Sequence, residues 1–249
     1  MKSEKGCHAA LISVLIGLSL ITAAAFANSE AVETGRLLAV LLDAGRMVVA
    51  ENQSLINDPK KANKGFTPDV FELQVIDRFK ERVSIDLANL KNERVPEKTK
   101  KLLHALAQVE KMVVSDVQRI INMEGIGYKG FTPTVFAASA VSKLRAYADV
   151  SVRQTMKSPR NPRNAPDPFE AKALEKFADP KYPRQGEAIV SEVVDGGNSV
   201  RVVLPLYYAK SCLACHGEPK GAKDVTGYMK EGRKEGDLGG AISVKLDAK

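Results

Sequence analysis

Residues 101–136 read "KLLHALAQVEKMVVSDVQRIINMEGIGYKGFTPTVF", and residues 36–71 read "RLLAVLLDAGRMVVAENQSLINDPKKANKGFTPDVF". At a constant offset of 65, with no gap, "MVV", "IN" and "KGFTPxVF" coincide. Agreement over so long a register is the signature of an internal duplication. Each copy predicts a long amphipathic helix, a loop, a second helix and then a strand. In the second copy Leu102, Leu103, Leu106, Val109, Val113, Val117 and Ile120 recur at three-four spacing, the pattern of a buried helical stripe. The loop "GFTP" puts threonine before proline, which suits an N-cap followed by proline at the first helical position. "VSVRQT" at 150–155 alternates and is rich in β-branched residues, so a strand is expected there.

The first copy stops near Pro96, whereas the second continues into a tail. "KSPRNPRNAPDPFE" is too rich in proline and asparagine for regular structure. Asp167, Pro168 and Glu170 then have the spacing of a capped helix start, with the helix running to about Ala178. Two strands follow in "GEAIVSEVVDGG" and "NSVRVVLPLYY", joined by a turn at Asp195-Gly196-Gly197-Asn198, and "GGAISVKLD" closes the chain as another. Four antiparallel strands packed on helices make an α+β fold. The expected organisation is residues 1–27 as a leader, 28–99 as a half-repeat, and 100–249 as the domain carrying the tail.

The leader expectation rests on Lys2 and Lys5, an apolar run from Ala9 to Phe26, and Ala25-Phe26-Ala27 before Asn28. A basic start, an apolar middle and small residues before the cut describe a secretory signal peptide, with an uncleaved anchor as the alternative. Cleavage after Ala27 lowers the net charge from +7 to +6, because two lysines and one glutamate depart. It also removes Cys7 and His8, leaving Cys212, Cys215, His104 and His216 as the only thiols and imidazoles. The mature chain is expected to be soluble and periplasmic. Its basic balance favours acidic partners or simply solubility. No interleaving of aromatic and basic residues points to nucleic acid.

Within "KSCLACHGEP", residues 210–219, the two thiols and His216 form CxxCH. Three chemistries compete for it. A closed zinc site wants four ligands, and would need His104 as well. A redox dithiol wants a helix starting at the CxxC, which Gly217 and Pro219 oppose. Covalent haem c needs two thiols spaced to reach the vinyl groups of one porphyrin, with a histidine beside them for the iron. Export and the absence of competing thiols favour the last.

"RNPRNAPDPFE", "CLACHGEP" and "EGDLGGAISV", in that order, resemble the PAS-like c-type haem domain family, found in sensor regions of bacterial kinases and as small free-standing cytochromes. The resemblance covers about residues 100–246. It implies a PAS-like antiparallel sheet flanked by helices, one haem held through Cys212 and Cys215, and His216 as proximal ligand. One form of the family takes its other axial ligand from an upstream cysteine, which the mature chain lacks.

For the sixth ligand, Met112 faces Met47 in the copy without CxxCH, so packing accounts for it. His104 faces Ala39 and Met123 faces Asp58, so these depart from the first copy; Met229 lies in the glycine-rich loop beyond the motif. Open iron, His104 and Met123 all remain in play. Arg160 and Arg163 are candidates for a propionate clamp, since guanidinium pairs carboxylate in fork geometry. One of Tyr207 and Tyr208 is expected to cover the haem edge. The functional classes are a single-electron carrier or a redox- or gas-responsive module with a redox or signalling protein partner. A partner-binding module with structural haem, and a peroxidase for which only His104 offers distal acid-base chemistry, are the rivals. The unpaired repeat and an edge strand leave room for a homodimer.

Overall fold

The computed structural model describes the backbone of residues 7–184 and 187–248, with side chains from residue 28 onward. The signal-peptide expectation falls on residues 1–27, whose side chains lie outside the described residues. Among the described residues no helix is long and apolar enough to cross a membrane.

The long helix α1 (Cys7–Glu51) and its short continuation α2 (Gln53–Ile56) lead to α3 (Pro68–Val83). The second copy forms α4 (Glu97–Ile121) and α5 (Pro133–Leu144). Both "FTP" loops do the same work: Thr67 caps α3 by accepting from the Val70 amide, and Thr132 caps α5 by accepting from Val135, each with proline next.

The second copy ends in β1 (Val150–Thr155), and the tail supplies α6 (Pro168–Ala178), β2 (Val190–Val194), β3 (Ser199–Tyr207), the single turn α7 (Leu213–His216) and β4 (Leu238–Asp247). The four strands form one antiparallel sheet in the order β1-β4-β3-β2. The α+β class and the strand at 150–155 together with the three tail strands expected from the sequence are therefore present. One face of the sheet, with Val200, Leu204, Ile242, Val244 and Leu246, joins the helices in a single apolar core. On the other face Val203 and Ala241 pack beneath Ala173, Leu174 and Phe177 of α6. Asp167 and Glu170 make the expected capping box on α6, and the fully buried Glu170 is neutralised by Arg153 and Arg201.

Three expectations are corrected. The strand ending the first copy does not form: Leu87–Asn92 is a 3-10 helix capped by Asp86. Asp86 accepts from the Ala88 amide, which turns the chain tightly at the point where the second copy runs on into β1. In α4 the buried stripe ends at Ile121, while Ile120 is 44 % exposed. A straight helix drifts against a strict seven-residue repeat, so the inward face moves on by one residue over five turns. Met112 is 39 % exposed beside that stripe rather than buried in the core.

Residues 65 apart meet across the bundle. The Thr34 and Thr99 hydroxyls share a hydrogen bond of 2.7 Å, and the Phe71 and Phe136 rings lie 5.3 Å apart. The Lys64 amide donates to Asn122 Oδ1 at 3.2 Å, and reciprocally the Lys129 amide donates to Asn57 Oδ1 at 3.1 Å. The Lys64 and Lys129 ammonium groups are each buried against loop carbonyls, Lys61 for the one and Met123 and Ile126 for the other.

Candidate functional site around the CxxCH turn

Strand β3 delivers the motif. A register shift between Leu206 and Tyr207 bends the strand as it leaves the sheet. Residues Lys210–Cys212 form a 3-10 turn that runs straight into α7, and the Gly217 amide closes it on the Leu213 carbonyl. A Cβ at Gly217 would sit 2.7 Å from that carbonyl oxygen, so only glycine lets the turn end directly after His216. Gly239 and Gly240 of the "EGDLGG" motif serve similar ends. The Gly239 Cα faces the Tyr208 ring, and a Cβ on Gly240 would meet the Thr155 carbonyl at 2.5 Å.

Cys212 and Cys215 are unbridged and half-buried. The His216 imidazole packs at 5.0 Å from the Tyr208 ring, and its Nδ1 lies 2.8 Å from Glu231 Oε2. Burial pushes the imidazole's pKa down, and the Glu231 contact opposes that shift. An imidazole whose Nδ1–H is held by a carboxylate offers its Nε2 to a metal, with the ring fixed in orientation.

Arg160 is the hub of this region. Its Nε and Nη2 bond both oxygens of Glu231, Nη1 bonds Asp224 at 2.6 Å, and Nη2 also reaches the carbonyls of Cys215 and Met229. Asp224 in turn accepts from Thr226 and the Tyr228 amide, closing a compact hairpin over residues 222–230. The loop after the motif thus folds back beside the cysteines, and the Arg233 amide bonds the His216 carbonyl at 2.7 Å.

The expected side chains divide sharply. Arg160 lies at the motif, with its guanidinium bonded to two carboxylates and two carbonyls. Arg163 is exposed on a short 3-10 turn, its carbonyl accepting from Arg153. His104 is exposed and lines a cavity of about 220 Å³ with Phe71, Val75, Leu87 and Leu90. Met123 and Tyr128 are both exposed on the loop after α4, and burial, with smaller effects of Cys215, Asp224 and Tyr228, pushes the Tyr128 phenol up. Tyr208 is the buried member of its pair, while Tyr207 lies under the Arg184 guanidinium.

Glu231, Asp224, Tyr128 and Tyr228 were not singled out by the sequence, because nothing in a lysine- and glycine-rich loop distinguishes one acid from the next. The chemistry of the set is nonetheless readable. Burial beside Asp224 pushes the Cys215 thiol up, the opposite of what an attacking redox thiol needs. Among the described residues no group of three or more histidine, cysteine or acidic side chains is arranged to hold a metal ion, which a closed zinc site requires. Val225, Tyr228 and Met229 of the 222–230 hairpin, which Arg160 ties to the motif, are each more than half exposed. Large apolar side chains grouped and uncovered beside the thiols mark a binding surface. Two free thiols, an oriented imidazole and an uncovered apolar face fit a thioether-bound porphyrin.

These features define an α+β protein in which a helix bundle backs a four-stranded sheet and a CxxCH turn leaves the sheet's central strand. Residues 27–246 match the model of the Tll0287-like family, so the chain belongs to that family. The match runs across both the half-repeat and the tail. Among solved structures, the crystal structure of the cyanobacterial haem protein Tll0287 is similar at 20 % identity and a TM-score of 0.43, over 61 % of this chain and 96 % of that one. No curated protein matches.

Proposed function

We propose that this chain is an exported c-type haem protein, with thioethers at Cys212 and Cys215 and His216 Nε2 as the proximal ligand. The observation that carries the reading is the Glu231–His216 bond, which orients an imidazole beside two unbridged thiols. Membership of a family whose namesake is described as a haem protein supports it. A haem bound here supplies one-electron chemistry. The chain's own residues hold the imidazole through Glu231, anchor Glu231 through Arg160, and cover one ring face with Tyr208. In this reading Arg160 is a strut for the proximal side rather than a propionate clamp. The helix pairs meeting at residues 65 apart support an origin by duplication, and the sheet flanked by helices is compatible with a PAS-like module.

For the sixth position the reading favours Met123, exposed on the loop after α4, over His104, which lines a groove between α3 and α4. A carrier of single electrons serving a redox partner in the periplasm follows from such six-coordinate iron; an open iron would instead favour a gas- or redox-responsive module. The test is the optical spectrum of the full chain made in cells equipped for haem ligation. Pigment that survives acid-acetone, and is lost in C212S/C215S, is expected. Methionine ligation predicts an absorption band near the red edge of the oxidised spectrum that disappears in M123A and persists in H104A. A colourless wild-type preparation would end the proposal.

A further inference from the structure

A haem seated on Cys212 and Cys215 brings two carboxylates with it, and one arginine beside the motif has a buried donor with nothing to donate to. Resting on the haem reading above, the geometry points to Arg233 as the residue that binds a haem propionate.

Direct contacts place Arg233 at the motif. Its amide donates to the His216 carbonyl at 2.7 Å, and Glu231, two residues earlier, lies 2.8 Å from the imidazole Nδ1. The stretch 231–233 is therefore held against His216 by both a side chain and the main chain. Gly232, between the two, has a φ of 73°, and a Cβ there would meet the Lys220 Cβ at 2.9 Å. Only glycine suits that turn, which fixes where the Arg233 side chain begins.

The side chain is left incomplete. Arg233 Nε is buried without a hydrogen-bond partner, and among the described residues the guanidinium forms no ion pair. A guanidinium stays charged at any ordinary pH, and a buried donor without an acceptor is costly. Neighbouring arginines have acceptors: Arg160 has Glu231, Asp224 and two carbonyls, and Arg184 has the Gly236 carbonyl. The nearby acids offer Arg233 nothing, because Asp224 and Glu231 are engaged by Arg160 and His216. In keeping with this placement, burial and Glu231 push the Tyr208 phenol up while the Arg233 charge opposes them. Tyr208 is the ring that packs 5.0 Å from the His216 imidazole. A carboxylate carried by the porphyrin supplies acceptors for the fork and neutralises the charge in one contact. Sequence alone could not single out Arg233 among the cations of its loop; the orphaned Nε does.

The experiment compares wild type, R233Q, R233K and R163Q as full-length holoproteins with covalently attached haem. Arg163, exposed on its 3-10 turn, is the control cation. Resonance Raman reads the propionate bending band, and potentiometry reads the midpoint potential. In R233Q the band is expected to shift, and oxidised haem to gain about threefold at fixed ambient potential, the scale of a partly exposed ion pair. An uncompensated carboxylate favours the more positive iron. R233K keeps the charge without the fork, so its potential should stay near wild type while the band still moves. R163Q should move neither. An unmoved band in both Arg233 variants, or an equal shift in R163Q, overturns the assignment while leaving haem attachment standing. If R233Q does not fold, the band in R233K decides alone: moved, it supports the contact, and unmoved, it overturns it. Failure of the wild type to attach haem at all defeats the underlying reading instead.

Discussion

Glu110 is the least comfortable residue in the molecule. It is fully buried on α4, neither carboxylate oxygen has a hydrogen-bond partner, and burial alone holds its pKa well above the usual carboxylate range. It fits because the position 65 residues earlier is Gly45: a Cβ there would lie 2.7 Å from Glu110 Oε2 and 2.8 Å from the Phe136 ring. The acid is therefore neutral in the fold and ionised in the unfolded chain above its ordinary pKa. The native state then binds the extra proton, so this residue's linkage lowers stability as pH rises from about 4.5 through the folded-state pKa. Denaturant melts of wild type and Glu110→Met between pH 4 and 8 check this. The substitution should flatten that part of the profile and raise stability at pH 7 by about 1–3 kcal/mol, since it removes an unpaired buried polar group at similar volume. A steeper profile in Glu110→Met would contradict the account.

At the scale of elements, periodicity and capping chemistry were read directly from the residues. The strands at 150–155, 190–194, 199–207 and 238–247 follow from β-branched alternation between turn residues, and α6 begins and ends where its capping box and Ala178 place it. The two threonine caps are local devices whose cost is separable from the rest. Thr67→Ala and Thr132→Ala should each lower stability by about 1 kcal/mol, read as a shift in denaturation midpoint at unchanged slope. Elements failed to follow the sequence where tertiary surroundings intervened. Residues 87–92 overlap the counterpart of β1 at an offset of 65, yet among the described residues they pack against α3 and α4 and belong to no sheet. A local 3-10 turn capped by Asp86 satisfies their backbone instead.

At the scale of the whole molecule, residues 65 apart touch one another across the bundle, at Thr34 and Thr99 and at Phe71 and Phe136, and the loops at 57–65 and 122–130 exchange reciprocal hydrogen bonds. The reciprocal Asn57 and Asn122 bonds predict that Asn57→Ala and Asn122→Ala cost similar amounts, about 1 kcal/mol each. Amide hydrogen exchange should show the loops at 57–65 and 122–130 losing protection together in either variant. A change confined to one loop would mean that the loops are independent. The same packing explains why the chain's functional residues were only partly legible. The CxxCH pentapeptide is contiguous, so its thiols and imidazole are recognisable in the sequence. The residues that orient it, Arg160, Asp224 and Glu231, lie up to 71 positions apart.

Taken alone, the sequence determined the α+β composition, the order and ends of most elements, the 65-residue correspondence and the Cys212–Cys215–His216 constellation. All of these depend on contacts between residues close in the chain or on repetition of whole segments. Only the tertiary structure decided that Arg160 is already occupied, that His104 faces a groove between helices, that Glu110 is sealed in against Gly45, and that the first copy's loop lies beside the second's. Hydrogen-bonding capacity and burial are properties of a neighbourhood assembled from distant segments, and no short stretch of residues specifies who its neighbours will be.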